Sequence, residues 1–267
     1  RQESGISDGG LGVNREGDHM KVTYTGQCGF VVETEIANIV FDFCGGTFPR
    51  LSTDKPVLLF VSHGHGHHFD PMIFSLAHTY PNIQFFLSHD ILLTEEIQKE
   101  YGITRSLMRR ISFLPEGVRR VIPLQADSGE NDYIIFETVK TCGEGIAFLL
   151  NIAGKRLYYA GDMNWFVSEQ DTRQVFNQRT ARFKHYMETL YDRDIYLAFA
   201  NLDPDQGKYQ CLGIDYLLNT APVSYVIPMG ADLDAFKVDT YRSQRRTGNL
   251  PTEVITLTQE GESTILL

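Results

Sequence analysis

Apolar side chains alternate with polar ones along several segments of the chain, and this spacing predicts strands. Residues 21–26, 29–35 and 37–43 follow it between glycines, as in an antiparallel meander. Residues 56–62, PVLLFVS, form a continuous apolar run, which indicates a strand buried on both faces. Further strands are predicted over residues 82–88, 118–124, 132–141, 194–202, 223–230, 253–258 and 263–267, and a hairpin over residues 145–162 that turns at Ala153 and Gly154.

Helical spacing appears in three segments between these strands. A helix-like stretch covers residues 71–80, and a helix is predicted over residues 90–102, with Asp90 as its N-cap and Gly102 at its end. A long amphipathic helix fits residues 169–192. Strands come first and then strand and helix alternate, twice over. We therefore predict two sheets packed face to face with helices outside, an α/β sandwich of four layers.

The chain is predicted to form one domain over residues 20–267, because no linker interrupts the pattern after Met20. With 267 residues, of which 42% are hydrophobic, it is long enough to bury one large core. Residues 1–19 are polar and glycine-rich and lack the apolar core of a signal peptide. We interpret them as a disordered or non-native leader and leave them out of the fold prediction.

Net charge and cysteine content limit the classes of function. The net charge is -10, so the field of the whole molecule opposes nucleic-acid binding, and a small-molecule substrate is expected instead. Four cysteines without a C-x-x-C pair indicate reduced thiols in a cytoplasmic protein. No apolar run approaches the roughly 20 residues of a membrane span, so no membrane association is expected.

Candidate chemistry is concentrated in VSHGHGHHFD, residues 61–70, which follows the buried strand directly. His63 and His65 project to the same side of an extended chain, and the glycines between them leave room for the two rings. Two imidazoles on one ion at about 2.0–2.1 Å is normal zinc geometry. The alternative is a polar surface loop without a fixed metal. The position of the stretch at the end of a buried strand favours the metal site.

The letters SHGHGHHFDP resemble the S-H-x-H-x-D-H signature of the metallo-β-lactamase superfamily. YTGQCGFVVETEIANIVFDF resembles the first hairpin of that superfamily, and GKRLYYAGDMNW its later G-D motif, with the likeness closest to small bacterial members. The resemblance runs from Met20 to the end of the chain and implies an αβ/βα four-layer sandwich with a metal centre between the halves. It implies that His63 and His65 bind a first metal, His68 a second, and that Asp162 bridges the two.

The chain departs from the superfamily pattern at three ligand positions. His67 stands where the motif has its aspartate. Met229 and Gly230 stand where a late histidine follows the letters PM. The usual third histidine of the first site is missing near Thr141 and Cys142. A second ion would therefore have few ligands.

We predict one divalent ion, held by His63, His65 and Asp162, and a second site that is weak or absent. Zinc is the expected ion, and iron or manganese would also suit nitrogen and oxygen ligands. His67 or Cys142 is an alternative replacement ligand, although Cys142 is expected to be a small core residue.

Five residues are assigned roles from their places in or beside these motifs. Asp162 and His67 are the predicted catalytic residues. Trp165 and Phe166 follow the G-D motif directly and are predicted to line the substrate pocket, with core packing as the alternative. Asp70 precedes a proline and is predicted to cap a helix rather than bind metal.

The function implied by the resemblance is metal-dependent hydrolysis of a small ester, lactone or phosphodiester by metal-bound hydroxide, attenuated by the lost ligands. The alternative is a non-catalytic descendant of the fold that binds a metal or a metabolite. Chelator-sensitive hydrolysis would favour the enzyme, whereas bound metal without activity would favour the binding protein.

Overall fold

The chain folds into two β-sheets, and the computed structural model describes residues 19–124, 133–230, 233–245 and 252–267. The predicted leader, residues 1–19, lies outside the described part except for its last position. The strands are β1 Met20–Gly26, β2 Gly29–Glu33, β3 Asn38–Phe41, β4 Val57–Val61, β5 Ile83–Ser88, β6 Ile111–Leu114, β7 Arg119–Pro123, β8 Tyr133–Lys140, β9 Ile146–Ile152, β10 Lys155–Tyr159, β11 Ile195–Asn201, β12 Val223–Met229, β13 Glu253–Val254 and β14 Ser263–Leu266. The α-helices are α1 Leu76–Thr79, α2 Glu95–Glu100, α3 Arg105–Met108, α4 Arg173–Met187, α5 Leu212–Thr220 and α6 Ala235–Gln244, and 3-10 helices cover Pro71–Ser75, Glu188–Leu190 and Pro204–Tyr209.

Each sheet has seven strands and repeats the same pattern of pairing. The first has the strand order β14-β1-β2-β3-β4-β5-β6 and the second has the order β13-β12-β11-β10-β9-β8-β7. In the first sheet β1, β2 and β3 pair antiparallel, and β3 to β6 pair parallel. In the second sheet β7 to β10 pair antiparallel, and β10 to β13 pair parallel.

Aromatic side chains fill the space between the two sheets. Phe41 of the first sheet stacks on Tyr159 of the second, with ring centroids 4.6 Å apart. Phe60 contacts Phe148 edge to face at 5.1 Å. All four rings are fully buried. Burying a side chain of this size contributes about 1.5–3 kcal/mol, so this layer holds the two halves of the molecule together.

Helices cover the outer faces of both sheets. Leu59 of β4 packs in a second core cluster with Phe74 of the first 3-10 helix. Every residue of β4 is buried, which confirms that residues 56–62 contain a strand buried on both faces. Phe183 of α4 and Leu217 of α5 belong to the large core cluster that joins the second sheet to the inner face of the first. The predicted four-layer α/β sandwich is confirmed.

One predicted helix cap and one predicted hairpin turn are confirmed in detail. Asp70 accepts a hydrogen bond from the backbone N–H of Met72 at 2.8 Å, so it caps the 3-10 helix as expected. The hairpin of β9 and β10 turns at Ala153 and Gly154, whose φ angles are 50° and 76°. Two successive residues in the left-handed region are the mark of the tight hairpin turn that suits twisted strands.

Two predicted helices are shorter than their apolar pattern suggested. Within residues 90–102, α2 begins only after the N-cap Thr94. The assignment of Asp90 as an N-cap is wrong, because its carboxylate accepts a hydrogen bond from the backbone of Gly64 at 2.8 Å. Within residues 169–192, α4 begins after the N-cap Thr172.

Elements that the spacing did not predict are α3, α5, α6 and β6. Both α3 and β6 have four residues, which is too short for a periodic pattern to appear. Helix α5 begins without a side-chain cap, so its start carries no local signal. Within the described part of the chain, no helix is long and apolar enough to cross a membrane.

Candidate metal centre

The histidine stretch leaves the carboxyl end of β4 and is anchored on several sides. Ser62 and His63 are buried, with 0% and 3% exposure, and the chain then emerges at Gly64. The Ser62 carbonyl accepts a hydrogen bond from the backbone N–H of Ile146 at 2.9 Å. The backbone N–H groups of His68 and Phe69 both bond to the His65 carbonyl, which closes a tight turn. His63 is therefore fixed in the interior while His65 faces solvent.

His63, His65 and Glu144 form a cluster that could hold a metal ion. Each offers one ligand atom, and these atoms all lie within 4.8 Å of one another. The structure thus brings together the two histidines that the sequence singled out. No sequence motif predicts Glu144 as a ligand, and its one signal is its place two residues after Cys142, near where the resemblance implies a histidine.

Glu144 is held in place by the two glycines that flank it. Gly145 has a φ of +63°, and a Cβ there would lie 1.9 Å from the Ser62 carbonyl oxygen. A Cβ on Gly143 would lie 1.8 Å from the carboxylate of Asp162. Only glycine allows both approaches, so the β8–β9 loop can rest against the histidine stretch and present Glu144 to it.

Asp162 lies beside this cluster. Its Oδ2 accepts a hydrogen bond from the backbone N–H of Glu144 at 2.9 Å. The compact group formed by His63, His65 and Glu144 does not include it among the described residues. What the structure assigns to Asp162 is an anchor for the loop that carries Glu144. Its role as a bridging metal ligand stays a prediction.

A buried carboxylate, Asp42, lies beneath the histidines and collects hydrogen bonds from both sheets. It accepts hydrogen bonds from the backbone N–H of Ser62 at 2.6 Å and from the Ser62 hydroxyl at 2.5 Å. His68 Nδ1 lies 2.6 Å from it, and Tyr159 of the second sheet donates its hydroxyl at 2.7 Å. Ser62 Oγ also lies 3.0 Å from His63 Nδ1. We call these five residues the Asp42 network.

The two buried histidines have opposite pKa shifts. Burial, helped by the charge of His68, lowers the pKa of His63, so this ring is neutral near pH 7 and has a lone pair for a metal. Burial would also lower the pKa of His68, but the charge and hydrogen bond of Asp42 outweigh it and raise the pKa to about 10. In the metal-free protein His68 is a protonated partner of Asp42.

A pocket of about 200 Å³ opens next to the cluster, between the carboxyl ends of strands from the two sheets. Of the predicted site residues, His67, His68, Asp162 and Phe166 line it. The ring of His67 bonds to the side chain of Gln27 at 2.8 Å. The remaining lining residues are Cys28, Asn164, Asn201, Leu202, Asp203, Pro204, Asp205, Met229 and Gly230.

Trp165 does not line this pocket. Its ring stacks on Phe183 of α4 at 5.2 Å, and its indole N–H donates to Thr180 at 3.1 Å. The alternative of packing against the core therefore describes Trp165, whereas Phe166 faces the pocket. The two neighbours therefore differ in their surroundings, and the prediction that they line a substrate pocket stays a prediction for Phe166.

Gly230 and Cys142 lie at or near positions where the superfamily pattern has a histidine, and the structure shows what surrounds each of them. Gly230 lines the pocket, and a Cβ there would lie 2.9 Å from the Leu202 carbonyl oxygen, so a side chain at this position would crowd the backbone. Cys142 is 9% exposed and belongs to the core cluster. Burial raises the pKa of its thiol to about 11, and a protonated thiol is a poor metal ligand. This supports the expectation that Cys142 is a core residue.

Comparison with solved structures identifies the fold. Igni18, a metallo hydrolase from the archaeon Ignicoccus hospitalis, aligns with a TM-score of 0.53 and 15% identity over 93% of this chain and 99% of its own. The metallo-β-lactamase fold protein YhfI from Bacillus subtilis aligns with a TM-score of 0.56 and 16% identity over 93% of this chain and 99% of its own. CmlA, a diiron β-hydroxylase from Streptomyces venezuelae, aligns with a TM-score of 0.53 and 9% identity over 95% of this chain, which spans 54% of CmlA.

The chain therefore has the metallo-β-lactamase fold, and the resemblance drawn from the sequence is confirmed at the level of the fold. Comparison with protein-family models gives no match, and neither does comparison with curated proteins.

Proposed function

We propose that the protein is a metal-dependent hydrolase whose ion is held by His63, His65 and Glu144. The observation that carries this proposal is the convergence of these three ligand atoms beside a pocket at the seam of the two sheets. Two histidines and one carboxylate are a donor set used by catalytic zinc and by non-haem Fe(II). The residues present fit such an ion.

A divalent ion in such a site activates water near neutral pH and polarises the oxygen of the scissile group. The chain's own residues position the ligands of the ion and bind the substrate. His63 is neutral and rigidly held, and Asp162 fixes the loop that carries Glu144. The pocket beside them has the apolar side chains of Phe166 and Leu202 in its lining and is the proposed place of the substrate.

The charge of the pocket favours a neutral carbonyl substrate over a phosphodiester. Asp162, Asp203 and Asp205 line it, and among the described residues no lysine or arginine does. With Glu144, these carboxylates outweigh the two positive charges of a single divalent ion, and the protonated ring of His68 is balanced by Asp42. An anionic substrate would enter a negative field, which slows association and weakens binding. We therefore favour a small ester or lactone.

A single ion suits the surroundings of the second site. His68 is turned toward Asp42, and His67 toward Gln27. Gly230 offers no side chain. Since CmlA is a diiron enzyme by name, the metal analysis should cover iron and manganese as well as zinc.

The proposal is tested by metal analysis and by paired substrates. Protein purified without added metal is expected to contain about one ion per chain, and His63→Ala is expected to lose it, while the exposed His185→Ala keeps it. A neutral p-nitrophenyl ester is expected to be hydrolysed with at least about tenfold higher kcat/KM than bis(p-nitrophenyl) phosphate, and a chelator is expected to abolish both rates.

Two results would contradict this function. Faster turnover of the phosphodiester would overturn the assignment of a neutral substrate. Bound metal with no turnover of esters, lactones or phosphodiesters would instead support the non-catalytic binding protein, and thermal stabilisation by a metabolite would then identify its ligand class.

A further inference from the structure

Asp42 has no place among the proposed metal ligands, yet it is fully buried and central to the site. Its backbone has a φ of 42°, a left-handed conformation in which aspartate is enriched. Its N–H bonds to the Phe60 carbonyl at 2.9 Å, which ties the end of β3 to β4. A charged group so placed in the interior needs a reason.

The hydrogen bonds around Ser62 run in one direction only. The Ser62 hydroxyl has a single proton to donate. Its oxygen lies 2.5 Å from Asp42 Oδ2 and 3.0 Å from His63 Nδ1. A carboxylate can only accept, so the hydroxyl proton goes to Asp42. The Ser62 oxygen is then left to accept a proton from His63, which must carry its hydrogen on Nδ1.

The same carboxylate acts directly on the second buried ring. His68 Nδ1 lies 2.6 Å from Asp42 Oδ2 and therefore donates to it. Tyr159 donates to that oxygen from the opposite sheet and fixes it from the other side. Each histidine thus has Nδ1 directed at the interior, and His63 keeps its lone pair on Nε2.

We infer that Asp42 is a positioning residue that acts through Ser62 to fix His63 as the Nδ1–H tautomer, so that Nε2 is presented to the ion. This inference rests on the proposed function in treating His63 as a metal ligand. Outer partners of this kind orient the ring and raise its basicity, and their loss costs about 10–100-fold in metal affinity.

Nitrogen-15 imidazole spectra of the metal-free protein test the tautomer without any activity measurement. In the wild type, His63 is expected to show a protonated Nδ1 and an unprotonated Nε2. In Ser62→Ala the ring is expected to shift toward the Nε2–H form that free histidine favours. Ser88→Ala removes a hydroxyl that is equally buried and has no hydrogen-bond partner among the described residues, so it should leave the His63 spectrum unchanged.

Zinc affinity, measured by competition with a chromophoric chelator, is the second readout. Ser62→Ala is expected to weaken zinc binding about 10–100-fold, and Ser88→Ala is expected to leave it unaltered. A wild-type His63 protonated on Nε2, or a Ser62→Ala protein with unchanged tautomer and affinity, overturns the inference. If the wild type binds no metal at all, the proposed function fails, and the spectra still decide whether Ser62 sets the tautomer.

Discussion

Glu144 occupies the part of the chain where the superfamily pattern places a histidine. A carboxylate there brings one negative charge to the first metal position, so the cluster of His63, His65 and Glu144 would leave a divalent ion with a net charge of +1. This charge comes from a residue between two glycines, GEG, whose letters match no ligand motif. An exposed glutamate in a short loop is common, so only the folded structure reveals its two histidine neighbours.

Replacing Glu144 by glutamine is expected to weaken zinc binding by at least about 100-fold, because removing an outer partner alone can cost that much. The amide keeps the size of the side chain but loses its charge. Chelator competition on the purified variant measures the effect, and Glu100→Gln on the surface of α2 serves as the control. Equal affinities for wild type and E144Q would exclude Glu144 as a ligand.

The β8–β9 loop shows how a short connection can govern a site. Its glycines let the backbone approach Ser62 on one side and Asp162 on the other. The loop therefore packs as a wedge between the segments that follow β4 and β10, in contact with both. Its backbone conformation sets the direction of the Glu144 side chain. A side chain at either glycine would push the two halves of the cluster apart.

Two alanine substitutions separate crowding from backbone strain. Gly145→Ala would place a Cβ 1.9 Å from the Ser62 oxygen. Gly154 has a φ of +76°, and a Cβ there would meet no atom of the described residues within 4 Å. We expect G154A to cost about 1–2 kcal/mol from φ alone. G145A is expected to cost about 3 kcal/mol or more, since crowding adds to the strain, and to lose zinc. Urea unfolding of both variants measures this, and equal losses would contradict the wedge.

Apolar runs predicted the strands well because β4 and its neighbours are buried on both faces and leave little choice of structure. Helices were predicted less well. Helix α5 has no capping side chain to mark its start, and α4 covers a shorter segment than the predicted residues 169–192. Asp90 has the letter of an N-cap but reaches across to Gly64. His63 and His65 could be found from spacing, whereas the roles of Asp42 and Glu144 depend on contacts between distant segments.

The two halves of the molecule meet in a layer of buried aromatic side chains, and the Asp42 network crosses that layer at its edge. Tyr159 comes from the second sheet, and Asp42, Ser62 and His68 come from the first. The geometry of the metal centre therefore depends on how the sheets pack. Mutations in the core that shift one sheet against the other should act on the site from a distance.

Stability of the metal-free protein is expected to fall as pH rises from about 6.5 to about 10. The pKa of His68 is raised above its ordinary value by Asp42, so its contribution is fully present below 6.5 and is lost as the ring releases its proton in the folded state near 10. The slope is at most about 1.4 kcal/mol per pH unit. Urea unfolding of wild type and His68→Gln, with chelator present, measures it. A stability difference that stays constant across this range would contradict the assignment.

Trp165 is the single tryptophan of the chain. It lies under the ammonium group of Lys184, 5.4 Å from the ring centre, and its backbone carbonyl accepts a hydrogen bond from Gln206, in the segment that borders the pocket. Tryptophan emission, excited selectively on the long-wavelength side of tyrosine absorption, consequently reports on one known location, next to where a ligand would enter. Ligand binding in the pocket can therefore be followed by titrating the unlabelled protein and recording its tryptophan emission.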